Sequence, residues 1–374
     1  MKLFRAICAV ILVLLIVACG EPAIAPQTEA TAAPQETGTP VEEPDIVVIT
    51  TAEPTELPTL PPTDEPTPEP TPEPTPTPEP TRPPQEGDIA VNFPDYDTGT
   101  DADYSYQSDE LKIAIKVCHA EMKDEEGTHQ ETYYVADIWT RNIRSFGAAF
   151  AKDAYNKGSE YGEKLAVRRN AILAVNGSYN QGLVLQNGTL YSNLRANKGW
   201  NSGDVCVLYR DGTMKTFHLK TDKFNAKDEI KNGALHGWQF GPILIRDYEA
   251  FSKATSFGTL GYKSRNILGY YEPGHYVIVN CDAYQKDGVG MTVQMMIDVM
   301  KSLGVKDAFN LDGGISAVMV FMGEVINRPT EHNDNGRMVP GRPIVDMLIF
   351  GDCGEDGVFK DLSTLTASKF LGKN

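Results

Sequence analysis

The sequence predicts an α+β fold: mixed or antiparallel sheets with several hairpins and one principal core helix, preceded by a disordered stalk. Three observations carry this. Short β-rich runs are separated by turn dipeptides such as Asn187–Gly188 and Asp211–Gly212. One segment, Thr292–Gly304, has the spacing and caps of an amphipathic helix. Nineteen of the 25 prolines fall between Glu21 and Glu86. That stretch holds 14 acidic residues and one basic one, so it carries −13 of the chain's −17. A segment of Pro, Thr and Glu cannot bury enough apolar surface to fold. Residues 88–374 carry only −6 and are long enough for a well-filled core. With no basic excess beyond the first few residues, a nucleic-acid partner is excluded by bulk electrostatics.

Three segments follow in order: a signal (1–19), a linker (20–87) and a folded domain (88–374). Lys2 and Arg5 precede an unbroken apolar run from Ala6 to Ala18. That run suits the apolar region of a signal peptide better than a membrane-spanning helix. It ends Leu15–Ile16–Val17–Ala18–Cys19 and resembles a bacterial lipobox, which implies lipidation of Cys19 and cleavage ahead of it. An ordinary cleaved signal with an incidental cysteine is the alternative. The lipobox reading predicts a membrane partner reached through a lipid anchor, and a place on the extracytoplasmic face of a bacterial cell membrane. Thr-Pro-Glu-Pro repeats then dominate to Gly87. Their only regular structure is polyproline II, which at ~3.1 Å per residue would reach roughly 200 Å when extended. This is a stalk or a plain linker.

The folded part opens with Leu111–Val117, which alternates apolar and polar as a half-buried strand does. Thr132–Trp139 is a second strand, and the acidic stretch Glu121–Glu131 reads as the loop of a hairpin. Lys164–Asn170 reads as the end of a short helix, and Ala171–Val175 as a fully buried strand. Leu183–Tyr191 is a hairpin around Asn187–Gly188; Val205–Leu208 and Thr213–Leu219 form another around Asp211–Gly212. Pro242–Arg246 and Tyr276–Asn280 add strands. In the helix, Thr292 is the N-cap, Met296, Val299, Met300 and Leu303 make the apolar stripe, and Gly304 suits the C′ position. Ala308–Leu311, Ala317–Phe321, Glu324–Asn327 and Pro343–Phe350 complete the set.

The chemistry gathers in the C-terminal third. In Asn310–Leu311–Asp312–Gly313–Gly314–Ile315–Ser316, the amide and the acid lie two apart and would share one face of a strand. The two glycines let a backbone approach a ligand. Asp-Gly-Gly is equally the signature of a plain turn. No phosphate-binding glycine loop, HExxH or paired CxxC occurs, and the six histidines lack metal-ligand spacing. No metal or cofactor is expected. Cys118, Cys206, Cys281 and Cys353 read as free buried thiols rather than disulfides.

This run, with the helix ending Leu303–Gly304–Val305 before it, resembles the signature of the phosphodiester glycosidase family. Further blocks appear in the family's order: Ala174–Tyr179, Gly182–Val184, Asn187–Gly188, Phe240–Leu244, Arg265–Gly269, Asp282, Gly290–Thr292, Asn327–Pro329 and Gly341–Asp346. The resemblance spans 170–350. It departs at Ile315 and Ser178, where the family has glycine, and at Asp282–Ala283–Tyr284, where an arginine is missing. It implies a hydrolase that cleaves a sugar-1-phosphodiester of the N-acetylglucosamine type in envelope or extracellular glycans. A glycan-binding lipoprotein on the same scaffold is the alternative. The phosphate leaves as an anion, so the site needs a carboxylate near the anomeric carbon and positive charge on the phosphate. The resemblance gives Asp312, Asp282 and Arg265 the catalytic roles. Substrate binding falls to Asn176, Gly241, Asn310, Gly313, Gly314, Ser316 and Arg342, with the arginines on the phosphate.

Overall fold

The computed structural model describes residues 85–94, 101–124, 127–180, 182–195, 203–254, 261–332, 338–367 and 369–370. The expected signal and the stalk up to residue 84 lie outside them. All strand pairings among the described residues are antiparallel, and helices are few. The domain is built from three sheets, of nine, five and five strands, with a small two-stranded ribbon, Thr330–His332 with Met338–Pro340.

The largest sheet runs across Glu249–Ala250, Ile243–Arg246, Asp307–Asn310, Arg265–Glu272, His275–Cys281, Gly127–Thr140, Leu111–Asp124, Tyr104–Gln107 and Lys369–Phe370. Its longest hairpin pairs Leu111–Asp124 with Gly127–Thr140 in unbroken register. The acidic stretch read as a loop is therefore mostly strand. Glu121 and Lys123 face solvent along a two-stranded extension, where polar residues fall on both faces and give no periodic signal, while Glu131 at its end is buried and accepts from Gly290 N at 3.0 Å. A second sheet orders Thr189–Ser192, Val184–Gln186, Ala234–Phe240, Asp204–Tyr209 and Met214–Phe217. The Asn187–Gly188 turn sits where expected, with φ of 49° and 73°. The third sheet orders Glu324–Val325, Met319–Phe321, Leu173–Asn176, Asp346–Phe350 and Phe146–Phe150.

One core joins the three sheets. Ile113, Ile138, Ile278 and Phe309 from the first meet Cys206, Leu208 and Trp238 from the second and Leu173, Phe321 and Phe350 from the third. Each sheet carries a helix or loop on its other face, so central strands are buried on both sides and read as continuous apolar runs. Helix α1 (Gly162–Arg168) covers the third sheet through Leu165 and Ala166. Helix α2 (Ala226–Lys231) lies against the second through Ala226, and is capped by the Asn225 side chain. Helix α3 (Val293–Ser302) is the predicted core helix. Thr292 Oγ1 accepts from Met295 N at 3.2 Å, and Met296, Val299 and Met300 pack under the large sheet.

Candidate active site

Three chain segments meet at the ends of neighbouring strands. They are the loop after Leu173–Asn176, the turn after Asp307–Asn310 and the start of Asp346–Phe350. Strands Leu173–Asn176 and Asp346–Phe350 are hydrogen-bonded neighbours, and Gly177 N donates to Asp346 O at 3.0 Å. The strand before Asp312 ends at Asn310, so Asn310 and Asp312 do not share one strand face. Its place is fixed instead by Asp312 N donating to Gly177 O at 3.1 Å and by Asn176 Nδ2 donating to Asp312 O at 2.6 Å.

Asp312 is nine-tenths buried. Ser316 and the Gly313 N–H hydrogen-bond its carboxylate, and Arg342 Nη2 lies 3.5 Å from Oδ2. Burial outweighs these contacts and pushes its pKa up to about 6. Gly313 is required by close approach: a Cβ there would lie 2.5 Å from Ser264 O. Arg342 is held in turn by Ser316 Oγ, which accepts from Nε at 2.9 Å, and its guanidinium stacks 4.5 Å from the Tyr179 ring.

A second carboxylate stands beside the first. Asp346 is buried, and it accepts from the backbone N–H groups of Ser178, Tyr179 and Asn180. Tyr179 and Asn180 have φ of 60° and 51°, which turns successive N–H groups to one point. Burial, and then the charge of Asp312, pushes Asp346 up to about 7 despite those three donors. The contact demands glycine at 177, since a Cβ would fall 2.1 Å from Asp346 Oδ2. Asp346 closes the last sequence block named above, but only as part of a pattern. The strand expected over Pro343–Phe350 begins at Asp346, and a lone acid beside a buried apolar run carries no local mark of a role.

The other predicted residues are placed as follows. Asn176 is fully engaged within the fold, with Oδ1 accepting from Val318 N at 3.1 Å and Asn266 Nδ2 at 3.3 Å. Asn310 Nδ2 donates to Gly241 O at 2.9 Å, so Asn310 and Gly241 brace one another behind the turn. Gly314 N donates to Ser264 O at 2.9 Å, which ties the turn to the strand carrying Arg265. Arg265 is buried and donates to Met291 O and Gly261 O, at 3.2 Å and 3.0 Å. Asp282 is buried and clasped by Arg328, whose N and Nε both donate at 2.7 Å. Arg328 also reaches Asp287 at 2.8 Å. Thus the charge of Asp282 is matched by Arg328, whereas that of Asp312 is felt by Asp346. Of the two tryptophans whose rings could stack on a sugar, Trp238 is core and Trp200 lies outside the described residues. Cys118, Cys206, Cys281 and Cys353 are free. Among the described residues no cluster of three or more His, Cys, Asp or Glu could hold a metal.

The comparisons agree with this geometry in extent. The phosphodiester glycosidase family model matches residues 161–350, which include Asp312, Arg342 and Asp346. The SPbeta prophage-derived protein YomE of Bacillus subtilis is 30% identical over 171 residues, 44% of this chain and 26% of that one. The mouse N-acetylglucosamine-1-phosphodiester alpha-N-acetylglucosaminidase is 24% identical over 184 residues, 46% of this chain and 35% of that one. The chain thus spans about a third or less of the length of these relatives. The catalytic domain of the zebrafish enzyme of that name, auto-inhibited by its pro-peptide, superposes with a TM-score of 0.53 at 20% identity. That match covers 68% of this chain and 87% of the other, and it establishes a shared fold.

Proposed function

The chain belongs to the phosphodiester glycosidase family, and on that premise we propose that it hydrolyses a sugar-1-phosphodiester at the Asp312–Asp346 pair. The observation that carries this reading is two buried carboxylates, Asp346 feeling the charge of Asp312, with Arg342 3.5 Å from Asp312. Ionised Asp312 takes the proton of a water whose oxygen bonds to the anomeric carbon. The bond from that carbon to the bridging oxygen breaks, and its electron pair stays on the phosphate. Arg342 Nη1 meets the phosphate charge, and protonated Asp346 donates to the departing oxygen or to Asp312. The products are a free sugar and a phosphomonoester. Asn176, Asn310 and Ser316 serve as positioning residues, and Arg265 and the Asp282–Arg328 pair hold the flanking loops.

The substrate proposed is an N-acetylglucosamine-1-phosphodiester, the group named for the mouse relative. We place it in envelope or extracellular glycans, with Cys19 as the lipid-bearing residue. Residues 85–374 incubated with UDP-N-acetylglucosamine should release N-acetylglucosamine, and Asp312→Asn should lower the rate by about 10²–10⁴-fold. Binding of the glycan without any release by the unmodified domain would sink the enzyme and favour a glycan-binding role. For the anchor, Cys19→Ser should move the expressed protein out of the detergent-extracted membrane fraction; no change in its partition would remove the lipid from the account.

A further inference from the structure

A separate cavity of about 410 Å³ lies on the outer side of the third sheet. Its walls include Arg144, Arg168, Arg169, Asn170, Asn187 and Phe359. Ile349, which also lines it, stands three residues beyond Asp346 on one strand, so the two side chains point to opposite faces. The cavity is therefore independent of the carboxylate pair, roughly 10 Å further along that strand.

Its chemistry is rich in donors. Arg168 is neutralised by Asp153 and Glu160, and Arg169 leans on Asp153 at 3.2 Å. Arg144 has no carboxylate partner among the described residues; its Nε donates to Asn142 Oδ1 at 3.2 Å. Three guanidiniums against two carboxylates leave one positive charge unmatched. Asn170 uses Oδ1 to accept from Leu362 N, leaving its amide N–H groups to the cavity. The Asn187 side chain has no hydrogen bond within the described residues and sits at the tip of a hairpin. One wall is apolar, formed by Ile349, Val358 and Phe359. The segment carrying Phe359 is folded over by a turn in which Gly357 lets Arg144 approach, since a Cβ there would be 2.8 Å from Arg144 Nη1. One net cation, two amides and one aromatic wall in a space this size match a single sugar ring bearing one negative charge.

We propose that this cavity binds a sugar carrying a monoanionic oxyanion, either a carboxylate or a phosphodiester, with Arg144 on the charge, the two asparagines on hydroxyls and Phe359 against the ring. The test is calorimetric titration of the full-length chain with glucuronate and with glucose 6-(methyl phosphate), neither of which holds a glycosidic phosphodiester. Glucose and inorganic phosphate are the controls. At least one of the two anionic sugars should saturate a single site, and whichever binds identifies the source of the charge. Both controls should bind about tenfold or more weakly. Arg144→Ala should weaken binding by about tenfold or more, and Asn187→Asp, which puts a negative charge at the same place, should abolish it. Arg342→Ala should leave it unchanged, and Arg144→Ala should leave turnover of a small phosphodiester unchanged. The proposal is overturned if neither anionic sugar binds, if glucose binds as tightly as the anionic sugar that does bind, or if both cavity variants bind as the parent does.

Discussion

Asp312 and Asp346 have different surroundings, and their difference sets a pH window. Asp312 has the Arg342 guanidinium nearby, while Asp346 has only peptide dipoles and the charge of Asp312. Burial pushes both up, to about 6 and about 7. Between those values the pair holds one proton, with Asp312 ionised and Asp346 neutral, the combination the proposed chemistry uses. The pH profile of kcat/KM should therefore rise through about 6 and fall through about 7. Asp346→Asn should remove the alkaline limb and leave the acid one; a variant profile with both limbs intact would take the acid role from Asp346. The same shifts bear on stability. Below about pH 3 both acids are largely protonated whether folded or not, and cost little. As pH rises toward 7 the unfolded chain ionises first, so the folded state loses stability across that window. Melting temperature should then fall from pH 5 to pH 8 in the parent, and fall less in Asp346→Asn.

The strand ends and turns that hold these residues were legible in part. The Asn187–Gly188 hairpin, helix α3 with Thr292 at its cap and the strand before Asp312 follow from turn chemistry, 3.6-residue periodicity and an apolar run, all local signals. Ala234–Phe240 and Arg265–Glu272 were not assigned as whole strands. Both contain glycine and polar residues whose partners come from distant loops and from another sheet, such as Arg265 donating to Met291 O at 3.2 Å and Asn266 donating to Asn176 O at 2.7 Å. The Asp312 turn could be read as functional only through the family pattern, because a plain turn has the same letters. Asp346 depends on pairing between strands far apart in the chain, which no local pattern encodes. Such elements place the site, so disturbing them should separate position from fold. Gly177→Ala puts a Cβ against Asp346 and should cut kcat by about 10²-fold or more with little change in KM. Met296→Ala under the large sheet should cost about 2–5 kcal/mol of stability while the folded fraction keeps its kcat. The reverse pattern, a lost kcat in the helix variant and none at Gly177, would mean that the carboxylate pair is not the reacting centre.

Across the whole molecule, the charge of the sequence divides sharply. The acidic, proline-rich segment ends at Glu86, and the described fold begins at Gln85. Residues 87–89 are tied to Arg141–Ile143, which follow Gly127–Thr140, a strand inside the large sheet. Gly87 O accepts from Ile143 N at 2.8 Å, Asp88 Oδ1 accepts from Asn142 Nδ2 at 3.0 Å, and Ile89 N donates to Arg141 O at 2.8 Å. The Ile89 side chain is buried in the core shared by all three sheets. Composition alone places the boundary at 88, because Gln, Glu, Gly and Asp carry no apolar signal; hydrogen bonds from Asn142 Nδ2 and Ile143 N reach back to Glu86 O and Gly87 O. If the stalk only spaces the domain, then residues 85–374 should match the full-length chain in melting temperature and in turnover of a small substrate. Residues 91–374 lose those main-chain bonds and the buried isoleucine. They should melt lower by on the order of 5–10 °C, as about 3–5 kcal/mol is removed from a domain of this size. Equal melting of the two truncations would place the boundary beyond Ile89, and a slower 85–374 would give the stalk a part in catalysis.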